Sequence, residues 1–118
     1  MTTRDPDCIF CRIVAREIPA TVVYDDDHVL GFRDLNPQAP VHVLLIPTDH
    51  IANTEALEPA HDAAIGAVIR AARAVANQER VADSGYRLVI NTGRDANNTV
   101  DHLHVHVLGG RTLGWPPG

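Results

Sequence analysis

Hydrophobic positions recur at helical spacing in two parts of the chain. Apolar residues three or four positions apart between residues 9 and 16 predict a short amino-terminal helix, which Pro19 ends. From residue 59 to about residue 81 a single apolar stripe follows the same spacing, while the arginines fall largely outside it. This second pattern predicts one long amphipathic helix.

Elsewhere the spacing of apolar residues changes to that of strands. The runs are short, rich in β-branched residues and bounded by acidic, proline-rich or glycine-rich turns. They predict strands at residues 21–24, 29–33, 41–46, 86–91 and 103–108. Because the connections resemble hairpins and one long helix remains to cover the sheet, we expect an α+β fold with an antiparallel sheet and a short amino-terminal helix.

The composition fits a single globular domain over residues 1–118. Hydrophobic residues make up 45% of the chain and charged residues 21%, which is typical of a folded protein, and no apolar run is long enough to cross a bilayer. A domain of this size buries a modest core, so pairing with a second copy would add useful burial. We therefore expect a homodimer that does not contact a membrane.

The charged and nucleophilic residues exclude several classes of function. The net charge is −5 and the ten basic residues are all scattered arginines, so binding of nucleic acid by a basic surface is not expected. The absence of lysine excludes Schiff-base chemistry and the lysine of a phosphate-binding loop. The single serine, Ser84, lies in a Ser-Gly-Tyr turn rather than in the nucleophile elbow of a serine hydrolase. Residues 1–7 are polar and lack the apolar core of a secretion signal, which predicts a cytoplasmic protein.

Three of the seven histidines alternate with apolar residues in the segment His102-Leu103-His104-Val105-His106. In a strand, this alternation places the three imidazoles on one face and the apolar side chains on the other. Three adjacent buried imidazoles would each need a hydrogen-bond partner, which makes a purely structural role for all three uncommon. The segment therefore predicts a strand with a chemically active face and an opposite face that packs into the hydrophobic core.

Two kinds of chemistry suit this row of histidines. Neutral imidazole is a common zinc ligand, but strand geometry separates His102 from His106 by about 13 Å, which suits an adjacent pair of ligands better than all three. Neutral imidazole is also a competent nucleophile toward phosphorus, and a second, protonated imidazole can balance charge on phosphate oxygens around its unperturbed pKa of about 6.5. The preceding loop offers donors for phosphate oxygens and a leaving group, from Gly93, Asn97, Asn98 and Thr99.

The chain has two cysteines, Cys8 and Cys11, and they are spaced Cys-x-x-Cys. In a reducing compartment this spacing is typical of half a zinc site or of a redox pair. The βαβ context expected of the redox motif is missing from the predicted elements. The residues themselves leave both interpretations open.

The chain resembles the histidine-triad (HIT) nucleotide-binding proteins, whose His-x-His-x-His motif with apolar residues after it is matched at residues 102–108. The resemblance covers nearly the whole chain and includes residues 9–10, 17–20, 37–40, 46–47, 86–87, 108–111 and the tail Trp115-Pro116-Pro117-Gly118. That tail is similar to the one in the branch of dimeric purine nucleoside phosphoramidases. The branch implies a HIT-like fold, a sheet that continues across a homodimer, and a purine nucleotide substrate such as an AMP conjugate.

The resemblance implies a mechanism and its catalytic residues. His104 would attack the α-phosphate and form a nucleotidyl-histidine, which water would hydrolyse to release a nucleoside monophosphate without a catalytic metal. His106 would contact the phosphate, and His42 would join the hydrogen-bonded set around the triad. Thr99 would assist at the phosphate or the leaving group.

Nucleotide binding is also implied residue by residue. Asp34 would take the ribose hydroxyls and Asn91 would hold the phosphate or leaving group. The base would lie in an apolar pocket formed by Ile9, Phe10, Ile13, Phe32 and Leu35. The chain departs from the family where Asn97-Asn98 replaces a usual Gly-Gln pair, which would narrow the phosphate cradle or change the preferred leaving group.

Cys8 and Cys11 resemble the zinc-binding variant of the family, in which His50 and the first triad histidine, His102, complete the ligand set. Two thiolates and two imidazoles make a closed tetrahedral shell that is typical of structural zinc. Such a site would fasten the amino-terminal helix to the sheet. It would leave His104 and His106 for phosphate.

The leading hypothesis is therefore a nucleoside phosphoramidase or related nucleotide hydrolase. One alternative is a nucleotide-binding regulatory module with incidental hydrolysis, and another is a dinucleoside polyphosphate hydrolase. A third is a metal-dependent hydrolase that uses the histidine strand as its ligand set.

Overall fold

The computed structural model describes residues 4–118, which form one sheet with helices on its faces. The helices are α1 (Ile9–Val14) and α2 (Asp62–Gln78), and short 3₁₀ turns lie at Thr54–Ala56 and Pro59–His61. The strands are β1 (Val22–Asp25), β2 (Val29–Arg33), β3 (Val41–Pro47), β4 (Tyr86–Val89) and β5 (Val105–Gly109). The predicted α+β fold is confirmed. Residues 1–3, which contributed to the prediction of a cytoplasmic protein, lie outside the described residues.

The strands pair antiparallel throughout, in the order β1-β2-β3-β5-β4. The last strand in sequence, β5, is inserted between β3 and β4, so the histidine segment leads into a strand that is paired on both sides. The register places His106 opposite Leu44 and His42 opposite Leu108. His42 and His106 therefore share one face of the sheet as diagonal neighbours.

The two faces of the sheet bury different groups of side chains. On one face, Val43, Leu45, Val105 and Val107 pack against α2 and are almost fully buried. On the other face, α1 covers a second cluster, which contains Phe10, Leu30, Phe32, Leu44 and Ile46. Burying a side chain of this size contributes roughly 1.5–3 kcal/mol to stability. In the described range, no helix combines the length and apolar character needed to cross a membrane.

Both helices are shorter than predicted, and an arginine in the left-handed region follows the end of each. Arg16 follows α1 with a φ of 63°, so the chain leaves the helix before it reaches Pro19. Arg80 follows α2 with a φ of 62°, and the N–H of Val81 donates back into the last turn in a Schellman-type cap. At the start of the long helix, residues 59–61 form a 3₁₀ turn rather than the predicted α-helix.

Several strand ends also differ from the prediction. β1 lies one residue later than residues 21–24, and β3 extends by one residue to Pro47. The ladder between β4 and β5 ends at the pair Val89 and His106, and β5 begins at Val105 instead of residue 103. As a result, His102, His104 and Asn91 lie in loops at one end of the sheet, where side chains can face a ligand.

Candidate active site

The three triad histidines are packed one after another at the start of β5. His102 is fully buried, His104 is 8% exposed, and His106 is half-buried. The rings of His104 and His106 lie 5.1 Å apart between centroids. His104 and His106 therefore lie side by side on the predicted chemical face, whereas His102 is directed at the cysteines; His102 and His104 both precede the strand.

His104 has one ring nitrogen engaged by its own backbone. Its Nδ1 lies 2.7 Å from the carbonyl oxygen of His102, which can only accept, so Nδ1 carries the proton. In the neutral ring, Nε2 then keeps its lone pair. The ring of Phe10 packs edge-on against His104 at 5.1 Å, which restricts rotation of the imidazole. The geometry thus leaves one nitrogen of His104 with a free lone pair.

His42 and His106 form a hydrogen-bonded chain with a defined direction. The backbone N–H of Gln38 donates to His42 Nδ1 at 3.0 Å, so neutral His42 carries its proton on Nε2. His42 Nε2 lies 2.9 Å from His106 Nδ1 and donates to it, which leaves the proton of neutral His106 on Nε2. His106 can therefore donate a hydrogen bond to an oxygen while His104 offers a lone pair.

Burial keeps this chain neutral near pH 7. It lowers the pKa of His106 to about 4, helped by the charges that His104 and His42 would carry and opposed by Asp34. Burial also lowers the pKa of His42, against the effect of Asp34, whose Oδ2 lies 3.4 Å from His42 Nε2. Asp34, His42 and His106 are close enough to hold a metal ion, but the N–H of Gln38 places a proton on the His42 nitrogen that would have to bind it. The trio is thus arranged for hydrogen bonding rather than for coordination.

The low pKa of His106 predicts a loss of stability in mild acid. The unfolded chain takes up a proton at His106 near pH 6.5, whereas the folded chain does so only near pH 4. The contribution of neutral His106 to the free energy of unfolding is therefore fully present above pH 6.5 and is lost as the pH falls toward 4. The expected loss from this residue is up to about 3 kcal/mol. Urea unfolding at pH 4.5 and pH 7.5, for wild type and His106→Gln, measures it. Since the variant lacks this titration, its stability should fall less, and equal losses in the two proteins would contradict the prediction.

A cavity of about 490 Å³ joins the histidines to the loop before β5. Its lining contains most of the predicted polar site residues, namely Asp34, His42, Asn91, Asn97, Thr99, His104 and His106, together with Asn36 and Gln38. Asn98 does not line this cavity; its Nδ2 donates to Asp101 at 3.2 Å, and its Oδ1 is buried without a partner in the described structure. The loop thus brings Asn97 and Thr99 to the cavity wall and turns Asn98 away from it.

The backbone forms a tight turn at Asn97-Asn98, where the chain differs from the usual Gly-Gln pair of the family. Asn97 has a φ of 60°, a left-handed conformation that glycine and asparagine tolerate best. Its N–H donates to the carbonyl of Arg94, and that of Asn98 donates to Gly93. Asparagine can therefore adopt the backbone conformation that the family's glycine would take at this position. Compared with glycine, Asn97 adds a side chain at the cavity wall.

An apolar cavity of about 210 Å³ adjoins the polar one. It is lined by all the residues predicted to surround the base, namely Ile9, Phe10, Ile13, Phe32 and Leu35, and by Asp34. Leu35 is 99% exposed and lies at the rim. Because Asp34 lines both cavities, it lies between the base pocket and the histidines, as a group that binds ribose would. A cavity of about 500 Å³ near Arg87 and Arg111 contains none of the predicted site residues.

Cys8, Cys11, His50 and His102 come together beside the triad, with their four ligand atoms all within 4.8 Å of one another. Cys8 is the N-cap of α1 and Cys11 lies one turn later, so both thiols face the same side. His102 Nδ1 lies 3.3 Å from Cys8 Sγ and 3.5 Å from Cys11 Sγ, and His50 Nδ1 lies 3.3 Å from Cys11 Sγ. The structure therefore assembles the ligand set that the sequence predicted.

The donor set fits a tetrahedral zinc ion. Bonds of about 2.3 Å to sulfur and 2.0 Å to nitrogen place tetrahedral ligands roughly 3.5 Å apart, close to the separations of His102 Nδ1 from the two sulfurs. His102 Nε2 donates to the carbonyl of Pro47 at 2.9 Å, which leaves Nδ1 with its lone pair directed at the sulfurs. Burial raises the pKa of the Cys11 thiol, whereas a redox-active cysteine needs a lowered pKa. The geometry of the cluster is thus suited to a structural metal ion.

Two contributors that lie outside the triad were missed by the sequence analysis. The N–H of Gln38 fixes the proton of His42, and the carbonyl of Pro47 fixes that of His102. Both are backbone groups, which every residue has, so no side-chain pattern could identify them. Proline-bounded segments at these two positions are the nearest signal, because they hold the backbone rigid.

Known proteins with similar sequences align with almost the whole chain. A family model described as HIT domain matches residues 15–113. A 14 kDa zinc-binding protein from Zea mays is 48% identical over 116 residues, which are 97% of this chain and 90% of the relative. A purine nucleoside phosphoramidase from Escherichia coli (strain K12) is 46% identical over 108 residues, with 92% and 91% covered. The crystal structure of a HIT family hydrolase from Legionella pneumophila Philadelphia 1 has a TM-score of 0.93 at 43% identity and covers 95% of this chain and 100% of that one.

Proposed function

Since the chain belongs to the HIT domain family, we propose that it is a hydrolase that cleaves purine nucleoside phosphoramidates or related adenylates at the α-phosphate. The product is a nucleoside monophosphate. One observation carries the proposal: His104 Nδ1 is bound to a carbonyl, so the remaining nitrogen has a lone pair beside a cavity lined by amide, hydroxyl and imidazole side chains.

In the first chemical step, His104 Nε2 forms a bond to the α-phosphorus and the bond from phosphorus to the leaving nitrogen breaks. The Nε2 proton of His106 donates to a non-bridging oxygen and stabilises the charge that develops there. The hydroxyl of Thr99, which lines the cavity and is exposed, relays a proton from solvent water to the leaving amine, and the water consumed in the second step returns a proton to solvent. The result is a nucleotidyl-histidine and a free amine.

In the second step, water attacks the same phosphorus and the bond to His104 Nε2 breaks. The proton of the water balances the one given to the amine, so one water is consumed for each phosphoramidate cleaved. The carbonyl of His102 holds Nδ1–H through both steps and stabilises positive charge on the ring. No step requires a metal ion, because protons and hydrogen bonds supply all the charge compensation.

The nucleotide would occupy the two adjoining cavities. We propose that the purine lies among Phe10, Phe32 and the neighbouring apolar side chains, that Asp34 binds the ribose hydroxyls, and that Asn91 and Asn97 hold the phosphate. Asn98 would act indirectly, by fixing the loop through Asp101. The Cys8, Cys11, His50 and His102 cluster would bind a structural zinc ion, which the name of the Zea mays relative also supports. The homodimer and the cytoplasmic location stay predictions.

A panel of AMP conjugates tests the proposed function. Purified protein is given an AMP phosphoramidate, an aminoacyl adenylate and a dinucleoside polyphosphate, each with and without a strong chelator, and AMP release is followed by chromatography. We expect release from the phosphoramidate in both conditions. Binding of AMP without hydrolysis of any conjugate would overturn the hydrolase and favour a regulatory nucleotide-binding module, while hydrolysis only with added metal would favour the metal-dependent alternative.

A further inference from the structure

We propose that the cluster of Cys8, Cys11, His50 and His102 positions the nucleophile, by fixing which ring nitrogen of His104 carries the proton. The inference rests on the proposed function, because it concerns the same histidine. It assigns to the cluster a role in catalysis beyond holding α1 against the sheet. The cluster residues act through His104 and do not themselves touch the substrate.

The connection runs through a single peptide unit. The carbonyl of His102, which accepts the Nδ1 proton of His104, belongs to the same planar peptide group as the N–H of Leu103. That N–H donates to the carbonyl of Ile51 at 2.6 Å. Because the peptide group is rigid, the bond to Ile51 on one side aims the carbonyl at His104 on the other.

Two cluster ligands hold this peptide group in place. His50 directly precedes Ile51, and His102 directly precedes Leu103, so the cluster joins the two segments that the hydrogen bond connects. His102 is held from three directions by Cys8 Sγ, Cys11 Sγ and the carbonyl of Pro47, and it is fully buried. A ligand shell that brings both imidazoles to one point therefore fixes the orientation of the 102–103 peptide.

Nothing in the sheet ladder replaces this support. The ladder from β3 to β5 starts at the pair Leu45 and Val105, so His102 and His104 precede it. An imidazole in water favours the tautomer with the proton on Nε2, and a carbonyl at Nδ1 is what reverses that preference. If the carbonyl turned away, His104 would carry its proton on Nε2, which is the nitrogen whose lone pair must attack phosphorus.

Ring nitrogen shifts measured by NMR test the inference independently of activity. Protein labelled with ¹⁵N-histidine is examined zinc-loaded, after chelation, and as the His50→Asn variant, and the His104 signals are assigned by their loss in His104→Gln. We expect the loaded wild type to carry its proton on Nδ1. We expect both cluster-deficient forms to move toward the Nε2–H tautomer, with a fall in kcat of at least about 10-fold that zinc reverses in the chelated protein.

A variant with a defect in the opposite core separates positioning from general loosening. Val75→Ala removes buried methyl groups from α2, on the face of the sheet that packs away from the cluster. It should lower the unfolding temperature and leave the His104 tautomer unchanged. The same tautomer shift in Val75→Ala would overturn the inference, as would an Nδ1-protonated His104 in folded protein without zinc.

The outcomes remain distinct if one part fails. All samples are measured below their own unfolding midpoints, and if the chelated protein unfolds, His50→Asn with its three remaining ligands decides the comparison. A zinc-dependent tautomer in a protein that hydrolyses no conjugate would support the positioning role and overturn the proposed function. Hydrolysis by a protein whose His104 tautomer does not depend on the cluster would support the proposed function and overturn the positioning role.

Discussion

His104→Ala is expected to lower the rate of AMP release from a phosphoramidate by at least about 10³-fold, while AMP binding changes by only a few fold. The reason is geometric. His104 is the triad residue whose Nδ1 is taken by a backbone carbonyl, so its Nε2 is the proposed nucleophile beside the polar cavity. Removing the ring would remove the bond-forming atom, whereas the proposed contacts to base and ribose would lie in the adjoining cavity.

Acid-quenched reactions analysed by mass spectrometry check the covalent step. Wild type should carry one added nucleotidyl group on the peptide that contains residues 102–106, and His104→Ala should carry none. His28→Ala, which removes an exposed histidine from a turn far along the chain, is the matched control and should behave as wild type. Turnover by His104→Ala near the wild-type rate would exclude this nucleophile, and a labelled residue elsewhere in wild type would relocate it.

The second large effect concerns stability. We expect the Cys8→Ser, Cys11→Ser double variant to lose about one bound zinc per chain and to unfold at a temperature lower by about 15 °C. An ion held at about 1,000 times its dissociation constant stabilises the folded state by about 4 kcal/mol. The four ligands connect α1, the segment after β3 and the segment before β5, so their release loosens three parts of the fold at once.

Metal analysis and thermal unfolding with and without a chelator measure this effect. In wild type, chelation should lower the unfolding temperature to a value near that of the double variant, and the double variant should not respond to the chelator. Arg94→Ala, a change at a 94% exposed side chain, controls for substitution alone and should keep both the metal and the unfolding temperature. Zinc-free wild-type protein with an unchanged unfolding temperature would contradict a structural metal.

Much of the fold could be predicted because the apolar spacing is regular where the elements are. The alternation of Val43 and Leu45 with His42 and Leu44 gives β3 two distinct faces, and the structure buries them against different layers. The ends of elements were harder to predict. Arg16 and Arg80 follow the helix ends in a left-handed conformation for which arginine has no sequence preference. Packing and capping hydrogen bonds impose that conformation.

The site was predictable only in its side chains. The alternating histidines, the cysteine pair and the resemblance together named the residues that the structure brings into two cavities and one ligand cluster. The protonation pattern could not be predicted, because it depends on the N–H of Gln38 and the carbonyls of Pro47 and His102. Neither the strand pattern nor the spacing shows that His102 and His104, two residues apart, take up different tasks.

The insertion of β5 between two neighbours divides the site into parts with different local stability. Residues 106–109 are paired with a neighbouring strand on both sides, so they separate from the sheet only when much of the domain opens. Residues 92–101 form a loop outside the ladders, and such segments open at far lower free energy. The loop that would surround the leaving group can therefore change its shape from one substrate to the next, while the strand that carries His106 stays in place.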